Sequence, residues 1–261
     1  PYLQQKDQFV NCMSSANKID KKEISIPIPV EFPSTNDTTA NALFYKPNNQ
    51  HFHNEGEKPP LIVLCHGGPT GATDSSYNLK IQFWTSRGFA VMDVNYRGST
   101  GYGREFRHSL DGQWGVFDVD DVCAAAQYAV TKGWAHPKQC VIKGSSAGGY
   151  TVLSALTFKS TFQAGVSLYG IADLERRATH THKYEARYLD RLVGEYPEEK
   201  AIYQARSPIH YLDQLNCPLL VFQGLEDKVV PPEQAEAIVK AARKNGLPVD
   251  YVTYPNEGHG F

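Results

Sequence analysis

The sequence lacks the features that would assign it to several large classes of protein. Its apolar runs are short, residues 61–65 being typical, whereas a membrane-spanning helix needs roughly 18 consecutive apolar residues. It has no excess of basic charge, because 26 Lys and Arg face 28 Asp and Glu. Proteins that bind nucleic acids or membrane surfaces usually carry such an excess. We therefore expect neither a nucleic acid nor a membrane as a partner.

Cysteine is scarce, odd in number and scattered, and no C-x-x-C pair occurs. The five cysteines are Cys12, Cys65, Cys123, Cys140 and Cys217. This pattern favours buried thiols in a reducing compartment over a disulfide framework, so we expect a cytoplasmic protein. His51/His53 and His180/His182 have the spacing of metal ligands on a strand, but no third ligand accompanies either pair. We expect no metal and no organic cofactor.

The 261 residues divide into an N-terminal part and a longer part with a regular α/β pattern. In the first part, residues 23–27 and 41–45 are predicted to be strands, and the polar residues 46–60 predict an exposed hairpin loop. From residue 60 onward, short apolar runs alternate with segments of helical period, which is typical of a parallel sheet with crossover helices. We predict one α/β domain, with residues 1–59 as a strand extension and residues 60–261 as the core.

Six apolar runs of the core predict its strands. They are residues 61–65, 89–94, 140–142, 164–169, 218–222 and 249–254. Apolar residues at every third or fourth position predict a helix over residues 116–130. A second helix is predicted from Pro232, which suits a first helical position, to Gly246, which suits a C-terminal cap.

The third of these runs leads into a G-x-S-x-G motif that extends from Gly144 to Gly148 and is centred on Ser146. A strand before it and the helix-compatible residues 150–156 after it supply the strand, sharp turn and helix of a nucleophile elbow. Glycine two residues to either side leaves room for a strained turn, and the turn aims the N–H of Ala147 at an oxyanion above the serine. Ser146 is the candidate nucleophile and Ala147 the first oxyanion donor; an ordinary glycine-rich turn is the alternative.

A serine nucleophile needs a general base, and the base needs a carboxylate to orient it. In hydrolases with this elbow the order along the chain is Ser, acid, His. Of the histidines after Ser146, only His259 follows the last predicted strand, so it is the candidate base. Asp227, in the loop after the fifth predicted strand, is the preferred acid, with Glu226 and Asp173 as rivals.

A second oxyanion donor is predicted after the first of the six strands. There the chain continues as His66-Gly67-Gly68-Pro69, and two glycines allow the backbone to approach a ligand closely. The N–H of Gly68 or Gly67 is the candidate. A plain β-turn is the alternative for the same residues.

From about residue 60 to the end, a series of motifs stands in a fixed order. They are L-C-H-G-G-P, N-Y-R-G-S-T-G-Y-G-R-E-F, W-G-V-F-D-V-D-D, G-S-S-A-G-G-Y, T-H-K-Y-E-A-R-Y-L-D, G-L-E-D-K-V-V-P and E-G-H-G-F. In these motifs the chain resembles the catalytic domain of the prolyl oligopeptidase family of serine peptidases, most closely its acylaminoacyl-peptidase and dipeptidyl-peptidase branches. The resemblance implies an α/β-hydrolase fold, with a mostly parallel central sheet and helices on both faces.

The resemblance also implies roles for single residues. It places the nucleophile, acid and base at Ser146, Asp227 and His259. It makes a glycine N–H the second oxyanion donor, because His66 stands where prolyl oligopeptidase itself has a tyrosine whose hydroxyl does this work. Arg97 of the second motif, with Asp118 or Asp121 of the third, is expected to form a structural ion pair.

For the substrate, the resemblance implies an apolar pocket for the residue before the cut bond. Tyr184, which begins a Y-x-x-R-Y segment, would form it with Val229 and Val230; a half-buried helix residue is the alternative for Tyr184. Family members normally carry a β-propeller before the hydrolase domain and a final helix after the histidine loop. Neither is present in this sequence, so we expect it to be a piece of a longer protein.

The favoured hypothesis is a serine peptidase that hydrolyses short peptides near their N-terminus through an acyl-enzyme. Acylaminoacyl-, dipeptidyl- and aminopeptidase types all remain open. A carboxylesterase is the alternative, because the same triad cleaves esters. A catalytically silent binding domain is the third hypothesis. A short peptide is the expected partner, and a homo-oligomer is compatible with the sequence.

Overall fold

The architecture is a mostly parallel sheet with helices packed on both of its faces. In the computed structural model, residues 2–5, 8–11, 20–52, 56–179 and 187–261 are described. The strands are β1 (Tyr2–Gln5), β2 (Gln8–Asn11), β3 (Ile28–Pro33), β4 (Thr39–Tyr45), β5 (Leu61–Cys65), β6 (Ala90–Asn95), β7 (Cys140–Ser145), β8 (Ala164–Leu168), β9 (Leu219–Gly224) and β10 (Val249–Tyr254). β1 and β2 form a separate antiparallel pair. The main sheet has eight strands in the order β10-β9-β8-β7-β5-β6-β4-β3.

The helices occupy the connections between these strands. They are α1 (Leu79–Thr85), α2 (Arg104–His108), α3 (Phe117–Thr131), α4 (Ala147–Phe158), α5 (Leu174–Thr179), α6 (Tyr188–Leu192), α7 (Lys200–Ala205) and α8 (Pro232–Lys244). Short 3₁₀ turns lie at Lys21–Glu23, Pro208–His210 and Leu212–Gln214. Both helices predicted from the sequence are confirmed, as α3 and α8, with ends close to the predicted ones.

Strand β5 shows why its sequence is a continuous apolar run. Leu61 and Val63 belong to the large core cluster that includes side chains of α3, α4 and α8, while Ile62 belongs to a second cluster with Ile81 of α1. Successive side chains of a strand point to opposite faces, so both faces of β5 are covered. The predicted α/β-hydrolase fold, with a mostly parallel sheet and helices on both faces, is confirmed.

Two predictions for the N-terminal part are wrong. The strand predicted at residues 23–27 lies further along the chain, at β3. Ser25 explains the difference: its N–H donates to the side-chain Oε1 of Gln82 at 2.8 Å, and its carbonyl accepts from Nε2 of Gln82 at 3.0 Å. Because a side chain of α1 satisfies these backbone groups, the segment does not need a neighbouring strand.

Residues 46–60 do not form a hairpin loop. β4 pairs with β3 and β6, whereas β5 pairs with β6 and β7. The connection from β4 to β5 therefore crosses the end of β6, a strand that comes later in the sequence. Within this connection, residues 53–55 lie outside the described part of the chain.

A buried ion pair joins the loop after β6 to helix α3. Nη2 of Arg97 lies 2.7 Å from Oδ1 of Asp121, and the N–H of Arg97 donates to Oδ2 at 2.7 Å. The guanidinium also lies 3.8 Å from the ring centroid of Phe117 and donates to the hydroxyl of Thr35 at 2.8 Å. Asp121 is thus the partner of Arg97. Asp118 instead accepts from the Thr151 hydroxyl at 2.6 Å, and its burial raises its pKa to about 6.

Some features are absent from the described part of the chain. None of its helices is long and apolar enough to cross a membrane. Nor do three or more His, Cys, Asp or Glu side chains come together there in a way that suits a metal ion. Cys65, Cys123, Cys140 and Cys217 are buried free thiols. Cys12, His53, His180 and His182 lie outside the described residues.

Candidate active site

The G-x-S-x-G motif forms a sharp turn between β7 and α4. Ser146 stands at its tip with φ 55° and ψ −119°, a conformation that is strained for a residue with a side chain. A Cβ on Gly144 would overlap the carbonyl oxygen of Gly148, and a Cβ on Gly148 would overlap the carbonyl oxygen of Cys65. Only glycine fits at both places, so the motif is a packing requirement of this turn.

Ser146, His259 and Asp227 come together at the edge of the sheet where its parallel strands end. Ser146 follows β7, Asp227 follows β9 and His259 follows β10. Nε2 of His259 lies 2.9 Å from Oγ of Ser146, and Nδ1 lies 2.8 Å from Oδ2 of Asp227. The imidazole therefore bridges the hydroxyl and the carboxylate, which is the arrangement that makes a serine hydroxyl nucleophilic.

The two rival acids are placed elsewhere. Glu226 is exposed. Oδ1 of Asp173 accepts a hydrogen bond from the N–H of Arg176 at 3.0 Å and so caps the start of α5. Neither carboxylate is hydrogen-bonded to His259, which leaves Asp227 as its partner among the described residues.

The carboxylate of Asp227 is buried, and both of its oxygens accept hydrogen bonds. Oδ1 accepts from the N–H groups of Val229 and Val230 at 2.8 and 2.9 Å, and Oδ2 accepts from Nε2 of Gln223 at 3.3 Å. Burial acts to raise the pKa of this carboxyl, but the bonds from His259 and from these N–H groups outweigh it and lower the pKa below its ordinary value. Asp227 is therefore ionised at neutral pH, holds the proton of His259 on Nδ1 and leaves Nε2 free to accept from Ser146.

Two residues that the sequence reasoning missed support the histidine loop. A Cβ on Gly224, the last residue of β9, would overlap the carbonyl oxygen of Glu257, so glycine lets the loop pass close to the strand. Tyr169 follows β8 with φ 39°, and its ring centroid lies 4.8 Å from that of His259 in an edge-on contact. Gly224 could have been noticed in the sequence, because a glycine at the end of an apolar run suggests a close approach of another backbone. No sequence pattern marked Tyr169.

Of the predicted oxyanion donors, Ala147 follows Ser146 directly, and Gly67 lies beside it. Ala147 is the first residue of α4, so its N–H has no acceptor within the helix. A Cβ on Gly67 would lie 3.5 Å from Cβ of Ser146, whereas one on Gly68, whose φ is 59°, would meet nothing within 4 Å. Among the described residues, no hydrogen bond uses the N–H of Gly67 or Gly68. The loop therefore passes the nucleophile at Gly67 and has two N–H groups without an acceptor in the described part of the chain, and Gly68 as second donor stays a prediction.

Of the predicted pocket residues, Val229 is partly exposed, whereas Val230 is 1% exposed and packs in the main core. Of these two described residues, Val229 is the one that a ligand could reach. Tyr184 lies outside the described residues. The apolar pocket stays a prediction.

Comparison with known proteins identifies the family to which this chain belongs. Residues 75–261 match the model of the prolyl oligopeptidase family. The chain belongs to the prolyl oligopeptidase family. Within this family it is 34% identical to dipeptidyl aminopeptidase BIII of Pseudoxanthomonas mexicana over 257 residues, which are 95% of this chain and 37% of that protein.

Two solved structures of peptidases have a similar fold. A puromycin-hydrolyzing peptidase of Mycobacterium tuberculosis is 42% identical, with a TM-score of 0.91 over 94% of this chain and 38% of that one. An acylaminoacyl peptidase of Pyrococcus horikoshii is 28% identical, with a TM-score of 0.82 over 92% of this chain and 38% of that one. The chain thus spans less than half the length of these relatives.

Proposed function

We propose that the protein is a serine peptidase that hydrolyses short peptides through an acyl-enzyme on Ser146. The observation that carries this proposal is the unbroken chain of hydrogen bonds from Ser146 Oγ through His259 to Asp227. The names of the relatives support it: they include a dipeptidyl aminopeptidase, acylamino-acid-releasing enzymes and a puromycin hydrolase.

In the first half of the reaction, Oγ of Ser146 attacks the carbonyl carbon of the scissile amide while Nε2 of His259 takes the hydroxyl proton. The carbonyl oxygen becomes an oxyanion, which accepts hydrogen bonds from the N–H groups of Ala147 and Gly68. The imidazolium then gives its proton to the leaving amine, and an ester of Ser146 remains. Asp227 stabilises the imidazolium and fixes its orientation.

In the second half, His259 takes a proton from water, which attacks the ester and forms a second oxyanion at the same donors. Collapse of this intermediate returns the proton to Oγ of Ser146 and releases the acid. Removing one donor of an oxyanion hole costs about 10²- to 10³-fold in kcat. The two backbone N–H groups therefore carry a large part of the proposed rate enhancement.

The test is a comparison of amide and ester hydrolysis. We expect measurable kcat/KM on at least one of three p-nitroanilides, with a free dipeptide, a free amino acid or an acylated amino acid before the cut bond. The Ser146→Ala variant, which retains the strand and helix around the site, should lose this activity. Hydrolysis of a matched p-nitrophenyl ester without any anilide hydrolysis would contradict a peptidase and support a carboxylesterase. Hydrolysis of neither would support the silent domain.

A further inference from the structure

The loop of residues 66–71, called the oxyanion loop below, begins with a partly buried histidine whose two ring nitrogens both have partners. The ring of His66 stacks on Tyr96 with centroids 4.3 Å apart and planes at 18°. Its Nε2 lies 2.7 Å from Oγ of Ser99, and its Nδ1 lies 3.0 Å from the carbonyl oxygen of Gly67. Both nitrogens therefore have partners, and neither is available to a substrate.

The partners decide where the proton of His66 lies. A carbonyl oxygen only accepts hydrogen bonds, so Nδ1 carries the proton and donates it to Gly67. Nε2 then accepts from the hydroxyl of Ser99. The hydroxyl of Ser99 also lies 2.7 Å from the carbonyl oxygen of Tyr96, but that oxygen already accepts the N–H of Ser99 at 3.0 Å, so the hydroxyl proton can go to Nε2. The Tyr96 hydroxyl lies 3.3 Å from both Nδ1 and the carbonyl oxygen of His66, and with Nδ1 protonated it donates to the carbonyl oxygen.

This neutral tautomer satisfies every group around the ring. In the opposite tautomer Nδ1 would accept from the Tyr96 hydroxyl at 3.3 Å, but its lone pair would face the lone pairs of the Gly67 oxygen, which lies closer, at 3.0 Å. Protonation of both nitrogens is disfavoured, because burial lowers the pKa of His66 to about 4. At neutral pH the ring therefore acts as a fixed donor to one carbonyl.

That donor controls a peptide unit of the oxyanion loop. In a trans peptide the C=O of one residue and the N–H of the next point in opposite directions. When His66 holds the carbonyl of Gly67, the N–H of Gly68 faces the other way. This peptide joins two glycines, which restrict its rotation least, and the Gly68 N–H has no bond of its own among the described residues. Without the hydrogen bond from His66 to the Gly67 carbonyl, little else would prevent this peptide from rotating.

We propose that His66 is a positioning residue for the oxyanion hole: its Nδ1–H fixes the Gly67–Gly68 peptide so that the Gly68 N–H faces the reacting carbonyl oxygen. The inference rests on the proposed function, since it assigns the peptide a part in that reaction. It gives the histidine a role different from that of a tyrosine hydroxyl, because both ring nitrogens are already engaged.

The test compares His66→Phe with His66→Asn. Phenylalanine keeps a ring to stack on Tyr96 but has no donor, whereas the Nδ2 of asparagine takes the place of the imidazole Nδ1. We expect His66→Phe to lower kcat and the affinity for a peptide aldehyde about 10²-fold, as for one lost oxyanion donor. An aldehyde forms an oxyanion on Ser146, whereas the product peptide does not. KM and product affinity should therefore change less than about threefold, and His66→Asn should recover most of the loss.

An equal loss of aldehyde and product affinity would overturn the proposal, as would a His66→Asn variant no better than His66→Phe. If His66→Phe does not fold, His66→Leu, which has the branched shape of asparagine but no donor, takes its place in the comparison with His66→Asn. It removes the bond to the Gly67 carbonyl and should weaken aldehyde binding more than product binding, and equal effects would again overturn the proposal. Failure of the proposed function is distinguishable, because the unmodified protein would then not hydrolyse peptides, or Ser146→Ala would still do so.

Discussion

At the scale of single residues, the candidate site depends on one carboxylate that stays charged although it is buried. Asp227 has four donors around it, two of them backbone N–H groups of its own loop. A neutral amide in its place would still accept hydrogen bonds but would not stabilise an imidazolium, and it would favour the wrong tautomer of His259. The charge of Asp227, in addition to its shape, is what the reaction requires.

We therefore expect Asp227→Asn to lower kcat about 10⁴-fold, by analogy with the same change in a well-studied serine peptidase triad. Steady-state kinetics on the best anilide substrate measure this. Glu226→Gln is the matched control, because it makes the same chemical change in the neighbouring exposed side chain, and it should leave kcat unchanged. Equal effects of the two substitutions would show that Asp227 is not the acid.

His66 makes a second prediction, on the pH dependence of stability. Its pKa is lowered from 6.5 to about 4 in the folded protein, so between these values the unfolded chain binds more protons. The folded state is then progressively destabilised as the pH falls from about 6.5 to about 4, by up to about 3 kcal/mol. Asp118 and Asp93, whose pKa values are raised to about 6, act in the opposite direction, but they do so in both variants compared below.

The measurement is the free energy of unfolding in urea, at pH 7 and at pH 4.5, for the unmodified protein and for His66→Phe. We expect the variant to lose less stability than the unmodified protein over this interval. An identical loss in both proteins would mean that His66 is protonated in the folded state and is not the fixed neutral donor described above.

At the scale of elements, the turn from β7 into α4 is the most constrained part of the site. Gly148 contacts the end of β5 so closely that a methyl group has no space. We expect Gly148→Ala to unfold the elbow or to abolish activity, measured by urea unfolding and by anilide hydrolysis. Gly101 is the control: its φ of 97° is strained for alanine, unlike that of Gly148, which lies in α4, but a Cβ at position 101 meets nothing within 4 Å.

For Gly101→Ala we expect only the backbone cost of about 1–2 kcal/mol for a positive φ, with activity retained. Equal loss of stability and activity in both alanine variants would contradict the argument that lack of space requires glycine at position 148.

How far the elements could be predicted depends on whether their signal is local. The strands and helices of the core can be predicted from the spacing of their apolar residues, and the elbow can be predicted from its glycines. The position of β3 and the course of residues 46–60 depend on Gln82 and on β6, which are distant in the sequence. The candidate triad followed from chain order, whereas Tyr169 and the role of His66 arise only where separate loops meet.

At the scale of the whole molecule, the buried pair of Arg97 and Asp121 ties the loop after β6 to α3 and to residues before β4. Removing one partner leaves the other charge buried without compensation, which typically costs about 3–5 kcal/mol. We expect Arg97→Met to lower the free energy of unfolding by about this amount. The pair of Lys159 and Asp120, whose side chains are 42% and 14% exposed, is the control, since ion pairs that reach solvent are worth about 0–1 kcal/mol. A similar cost for Lys159→Met would contradict the argument.

The central claim is that the fold makes one particular serine nucleophilic, and covalent labelling with an organophosphonate tests it most directly. Ser145 is the matched control, because it is the neighbouring residue and lacks the bond to His259. We predict that mass spectrometry finds one label per chain, on Ser146, and that Ser146→Ala abolishes it while Ser145→Ala does not. Labelling that persists in Ser146→Ala, or that disappears in Ser145→Ala with the fold intact, would contradict the account.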